Sequence, residues 1–263
     1  MYETLDLRRD GHCTWLTLNR PDALNAMNGQ LVRELRQFFW ELPGDTETRV
    51  VVLRGAGRAF CAGLDLKEPP SEVGTSVAAG LRAQRTISEL VLLMRRAPQP
   101  IIAAVHGPAC GGGFALALAA DVRVAGESVR MNAAFIRLGL SACDVGVSYF
   151  LPRLVGASVA AELLLTGNFI DAARAERTGL VSRVVPDAEL EAAARAMADD
   201  MLRNSPLGLR LTKECLKLAL DAGSLEEVVA MEDRNQILAA QSGDFREGVA
   251  AFLGKRPAVF RDA

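Results

Sequence analysis

Residues 101–121 constrain this chain more than any other stretch. An apolar β-like run, Ile101 to Val105, turns through Gly107 and Pro108 and reaches three consecutive glycines, Gly111, Gly112 and Gly113. An Ala/Leu-rich run of good helix formers follows over 114–120. The order is strand, loop, helix N-terminus. A helix start carries unpaired N–H groups and a partial positive charge, so it attracts an oxyanion. Glycine lacks a Cβ and lets a ligand approach the backbone. An apolar helix behind the loop keeps the site dry, which strengthens each N–H to oxyanion bond. The plainer alternative is that these glycines only pack closely in an ordinary strand–helix turn. A Walker phosphate loop is disfavoured because no Gly-Lys-Ser/Thr follows, and the G-x-G-x-x-G dinucleotide spacing is absent.

A second stretch repeats the layout. An apolar strand over 50–53 runs into Gly55 and Gly57, then into Cys61, Ala62 and Gly63 ahead of Leu64, Asp65 and Leu66. Two strand ends with glycine-rich backbone can aim two N–H groups at one carbonyl oxygen.

The run Ala-Phe-Cys-Ala-Gly-Leu-Asp-Leu-Lys at 59–67, with Ile-Ala-Ala-Val-His-Gly at 102–107 and Gly111 to Gly113, resembles the enoyl-CoA hydratase/isomerase (crotonase) superfamily. Asn-Arg-Pro at 19–21, Leu-Asn-Ala at 24–26, Leu-Leu-Leu-Thr-Gly at 163–167, Gly-Leu-Val at 179–181 and Phe-Leu-Gly-Lys-Arg-Pro at 252–257 fit the same family in order along nearly the whole chain. The resemblance implies an α/β fold, the crotonase spiral of β-β-α units, with C-terminal helices that assemble a homotrimer or a dimer of trimers. It implies an acyl-CoA thioester substrate, with coenzyme A as part of that substrate, no further cofactor and no metal. Carried over by motif, the N–H groups of Leu64 and Gly112 stabilise the thioester oxyanion as an enolate develops. Backbone at Ala62, Gly63, Leu64, Asp65, Leu66, Gly111 and Gly112 binds the substrate.

The departures from the family pattern bear on the reaction. Hydratases of this family carry two glutamates that position and deprotonate water. One follows the glycine triplet, where this chain has Ala115; the other precedes an Ile-x-Leu-Gly run, where this chain has Phe135 before Ile136-Arg-Leu-Gly139. Neither Ala nor Phe moves a proton. Asp144 is an acid nearby, similar in position to a functional aspartate of dienoyl-CoA isomerases and aryl-CoA dehalogenases of the family. Burial would raise its pKa, which suits proton shuttling near neutral pH. The open alternatives are acid/base, nucleophile, or a cap on the helix after Val145. Cys61, Cys110 and Cys143 lie in or beside these loops and read as small space-filling thiols without a base. His106 reads as structural. Lys255 and Arg256 are either contacts for coenzyme A phosphates of a neighbouring subunit or a solvated basic pair.

Charge and composition exclude several classes. The chain has 263 residues, a net charge of −2 and five cysteines, an odd number without Cys-x-x-Cys. Nucleic-acid binding, a zinc site and a disulfide framework are therefore not expected. No apolar run approaches a membrane span, and the N-terminus lacks the pattern of a signal peptide, so a cytoplasmic location is expected. The core is placed at 1–200 and a C-terminal helical oligomerisation region at 201–263.

Periodicity predicts strands at 13–19, 50–53, 101–105, 121–125, 129–133 and 180–185. It predicts helices at 27–42, 76–94, 150–155, 158–165, 187–203, 206–221, 224–241 and 244–253, with Asp171 capping a helix that ends near Thr178. Residues 69–74 read as a loop and 138–147 as a loop or interrupted element. The segment 69–95 carries Val73, Val77, Leu81, Ile87 and Leu90, an apolar set for an acyl tail or simply an amphipathic face. The expected function is enolate chemistry on an enoyl-CoA in fatty-acid-type metabolism, by double-bond isomerisation or hydration. The competing class is a non-catalytic acyl-CoA binder or carrier.

Overall fold

The computed structural model describes residues 2–69 and 76–262. Strands β1 (Leu5–Asp10) and β2 (Cys13–Leu18) pair antiparallel around Gly11. The alternation at 13–19 announces β2. Strand β1 carries no such signal: it is an edge strand, and only Leu5 of its six residues is buried. Helix α1 (Gly29–Glu41) starts later than the predicted Met27 because Asn28 Oδ1 accepts the Leu31 N–H as its N-cap. Met27 instead bridges to Leu64.

Strand β3 (Val50–Gly55) precedes α2 (Val77–Arg96), which Ser76 caps through the Ala79 N–H. Of the loop expected at 69–74, all but Pro69 lies outside the described residues, and so does Val73. The chain continues through β4 (Ile101–Val105), β5 (Pro108–Cys110), α3 (Gly112–Ala119), β6 (Val122–Gly126) and β7 (Arg130–Asn132). Then come α4 (Val147–Val155), α5 (Ala157–Thr166), β8 (Ile170–Asp171), α6 (Ala172–Arg177), β9 (Arg183–Val185) and α7 (Leu190–Leu202). Asp171 caps α6 through the Arg174 N–H, as the sequence predicts. The last strand is shorter than 180–185: the Leu180 N–H closes back on the Ala175 carbonyl and only 183–185 joins the ladder.

Among the described residues the large sheet has the order β1-β2-β3-β4-β6-β9, parallel from β2 onward, and a three-stranded sheet has the order β5-β7-β8. The pairs β4/β5 and β6/β7 each place their first strand in the large sheet and their second in the small one. This is the spiral of β-β-α units that the resemblance implies. Strand periodicity divides the apolar runs between two cores. Val51, Leu53, Ile101 and Ala103 join the main core with α1, α2 and α3. Val50, Val52, Ile102 and Ala104 pack beneath α7 against Leu190, Ala194 and Ala198. Helix α3 has a buried residue at every position, consistent with its being apolar on all sides.

Helices α8 (Pro206–Ala219), α9 (Leu225–Ala240) and α10 (Gly243–Leu253) follow. Their apolar residues are largely outside: Leu225, Phe252 and Leu253 are 74, 83 and 76% exposed. The exception is at the root of α8, where buried Lys213 donates to Asp121 Oδ2 at 2.8 Å and to the Gln99 carbonyl at 2.8 Å. Among the described residues no helix is long and apolar enough to cross a membrane.

Candidate active site

Two loops leave the C-terminal ends of β3 and β4 and are laced together. The Cys61 N–H donates to the Pro108 carbonyl at 3.1 Å, and the Cys110 N–H donates to the Cys61 carbonyl at 2.9 Å. Gly63 lies at φ +98°, in the region that favours glycine. A Cβ there would meet the Cys110 carbonyl oxygen at 2.8 Å and the Gly112 nitrogen at 3.6 Å. The loops touch at these two glycines. Leu64 follows Gly63, so the Leu64 and Gly112 amides belong to the two loops that meet at this contact.

Hydrogen bonding leaves both amides unused. The Met27 N–H donates to the Gly63 carbonyl and the Asp65 N–H to the Met27 carbonyl, while Gly111 N–H donates to the Asn132 carbonyl. Among the described residues neither the Leu64 nor the Gly112 N–H has an acceptor. Gly111, at φ +50°, heads α3 without a side-chain cap, so the helix start stays open to a ligand. A Cβ on Gly112 would run into the Met27 side chain.

The first loop is held from outside the site. Buried Asn25 donates from Nδ2 to the Ala56 and Ala59 carbonyls, each at 2.8 Å, and its Oδ1 accepts the Arg20 N–H at 2.9 Å. Arg20 pairs with Asp65 at 2.9 Å, and Asp65 also accepts the Lys67 and Glu68 N–H groups. Burial opposes ionisation of Asp65, but these donors hold its carboxyl below the usual range. Its side chain therefore shapes the loop from within. Ala62 is half-buried, and Leu66 is exposed.

The positions of the hydratase glutamates are apolar. Ala115 is fully buried, and Phe135 is buried with its ring 3.5 Å from where a Gly111 Cβ would lie. The loop after Phe135 carries Asp144. Its carboxylate does not cap α4, whose N-cap is Gly146 at φ +80°. Instead Asp144 Oδ1 accepts the Val145 N–H at 2.8 Å and Gln84 Nε2–H at 2.5 Å. Burial pushes the Asp144 carboxyl up from its ordinary value, against these two donors.

Cys61 and Cys110 fit the space-filling reading, but Cys143 does not: it is exposed on the loop before Asp144 and fills no core space. Burial pushes Cys61 up to about 12 and Cys110 up to about 11. His106 Nε2 bonds the Gly57 carbonyl at 2.8 Å. Arg256 is occupied by Glu247 through two contacts of 2.6 and 2.8 Å, and Lys255 is exposed. Among the described residues no cluster of three or more His, Cys, Asp or Glu could hold a metal ion. Cavities of about 570 Å³ beside Arg54 and His106, and of about 310 Å³ beside Arg95 and Lys213, lie off this site and include none of Leu64, Gly112 or Asp144.

The enoyl-CoA hydratase/isomerase family model matches residues 9–263. The chain is 44% identical over 252 residues to a probable enoyl-CoA hydratase of Mycobacterium tuberculosis, covering 94% of this chain and 88% of that protein. It is 37% identical over 246 residues to the 1,2-epoxyphenylacetyl-CoA isomerase of Escherichia coli, covering 93% of each. The crystal structure of an enoyl-CoA hydratase from Bacillus anthracis superposes with a TM-score of 0.94 at 33% identity, over 99% of this chain and 100% of that one. That of a probable enoyl-CoA hydratase/isomerase from Mycobacterium abscessus superposes with a TM-score of 0.91 at 39% identity, over 99% of each.

Proposed function

The chain belongs to the enoyl-CoA hydratase/isomerase family, and from that premise we propose that it isomerises the double bond of an enoyl-CoA through an enolate. The thioester carbonyl oxygen accepts the Leu64 and Gly112 N–H groups. As a proton leaves Cα of a β,γ-enoyl-CoA, negative charge collects on that oxygen, where one donor from the loop after β3 and one at the start of α3 stabilise it. Asp144 takes the proton as a carboxylate and returns it to Cγ. The electron pair moves from the C–H bond through the dienolate, so the double bond shifts with no net loss of atoms. Backbone at Ala62 to Leu66 and at Gly111 binds the thioester and its pantetheine arm. The apolar faces of α9 and α10 serve assembly with further copies of the chain.

The observation that supports this reading is a pair of unclaimed amides on two loops that touch, with apolar Ala115 and Phe135 where the family resemblance expects the water-activating glutamates and Asp144 as the acid on the following loop. The isomerase among the relatives supports it. Hydration is the second reading, favoured by the names of the other relatives. The test incubates the protein with a panel of enoyl-CoAs in deuterium oxide, with Asp144→Asn alongside, and reads products by mass and NMR. Deuterium at Cα or Cγ, lost in the variant, is the expected result. Addition of one water would turn the assignment to hydration. Binding without exchange across the panel would make the protein an acyl-CoA binder.

A further inference from the structure

The two donors on Asp144 reach the same oxygen. Oδ1 accepts both the Val145 N–H and Gln84 Nε2–H, while Oδ2 has no hydrogen bond among the described residues and is not sealed from solvent. The two donors come from different parts of the fold. Val145 is the next residue in the loop; Gln84 lies 60 positions earlier, on α2. Ser88, one turn further along α2, lies 3.4 Å from the same Nε2. No charged side chain pairs with Asp144 among the described residues, so Val145 and Gln84 are its polar surroundings.

The loop conformation here is held against its own preference. Val145 is β-branched and buried, yet sits at φ +46°. That region is sterically unfavourable for such a residue, by about 1–3 kcal/mol in general, and persists only where the surroundings over-determine it. The Val145 N–H donates to Oδ1 from within this turn. The Gln84 amide holds the same atom from the opposite element.

Resting on the assignment of Asp144 as the proton carrier, we infer that Gln84 is a positioning residue that anchors Oδ1 and leaves Oδ2 as the atom that takes and returns the proton. A carboxylate free to rotate presents either oxygen in a spread of directions. One anchored at a single oxygen presents the other in one direction, which suits a 1,3-shift of a proton between Cα and Cγ on one face of the dienolate. The anchor also stabilises the ionised form, since a carboxylate accepts and a carboxylic acid gains less from the same donor. Gln84 thus acts on the reaction through Asp144 and not on the substrate.

The test compares Gln84→Leu and Gln84→Lys with the unaltered protein and with Asp144→Asn, using a β,γ-enoyl-CoA in deuterium oxide across pH. Gln84→Leu removes the donor: kcat is expected to fall about tenfold with KM unchanged, and the rising limb of the pH profile to move to higher pH. Gln84→Lys restores a donor and adds a positive charge: the limb is expected to move to lower pH. Opposite shifts are the signature of a group acting on the Asp144 carboxylate, which a merely structural residue would not produce. Profiles of both variants that coincide with the unaltered protein, or that move together, would overturn the inference while leaving the proton carrier in place. Undiminished exchange in Asp144→Asn would instead remove the proton carrier itself, and the inference with it.

Discussion

The two ends of α3 face opposite demands with the same backbone chemistry. At its start, Gly111 offers no side-chain cap and the Gly112 N–H is unclaimed. At its end, buried Arg123 donates through Nη1 to the carbonyls of Ala117, Leu118 and Ala120, the last at 2.7 Å, and through Nε to Leu180 at 2.7 Å. Burial lowers the Arg123 guanidinium to about 10, so it stays charged at neutral pH and meets the negative end of the helix. Asp121 sits alongside, held by Lys213, Arg95 and the Ile101 N–H. Buried backbone groups are satisfied almost everywhere in folded proteins. One end of α3 follows that rule with a dedicated side chain. The other departs from it, at the place where the proposed function puts the thioester oxygen.

Three variants test that contrast. The largest expected effect is at the closed end. Arg123→Met strips donors from four buried carbonyls, and a loss of about 3–5 kcal/mol in unfolding free energy is expected, read by urea titration. Exchange per folded molecule should hardly change. Lost exchange with intact stability would erase the distinction between the ends. At the open end the balance reverses. Gly63→Ala forces a Cβ against the Cys110 carbonyl and parts the two loops. Turnover should fall about 10²–10³-fold, the usual effect of losing one oxyanion donor, with a stability loss of only about 1 kcal/mol.

The smallest effect has the opposite sign. Asp144 has a raised carboxyl pKa in the folded state, so between its ordinary value and that raised value the folded chain binds more protons than the unfolded chain. The stability of the unaltered protein therefore falls as pH rises through that window. Asp144→Asn keeps an acceptor at Oδ1 and removes the titration. It should abolish exchange yet be the more stable protein at neutral pH, with the gain disappearing below the window. Melting both proteins across pH reads the difference directly. A variant less stable than the unaltered protein at neutral pH would mean that Asp144 is there for structure.

Local chemistry was legible in the chain wherever neighbours in sequence decide it. The glycine-rich exits at 55–63 and 107–113, the apolar α3 and the cap at Asp171 are all set within a few residues. So were the family and its spiral fold, because the motifs recur in order along nearly the whole chain. Strand β1 was hidden because an edge strand needs no apolar alternation, and β5 because three residues around Pro108 read as a turn. Nothing near Gln84 announces a role; its partner lies on a loop 60 residues away. Arg123 reads as an ordinary strand arginine until the helix end above it is in place.

The sequence by itself determined which backbone could be bare: glycines with no Cβ, followed by a helix too apolar to remain outside. It also determined that Ala115 and Phe135 cannot carry protons. Only the tertiary structure decided that the loops of Leu64 and Gly112 touch, that Asp144 is anchored at one oxygen, and that Asp65 serves the loop through Arg20. The physical reason is one of range. Propensity and capping act between residues a turn apart. The approach of Gly63 to Gly112, or of Gln84 to Asp144, follows from how parallel strands stack and where their exits fall.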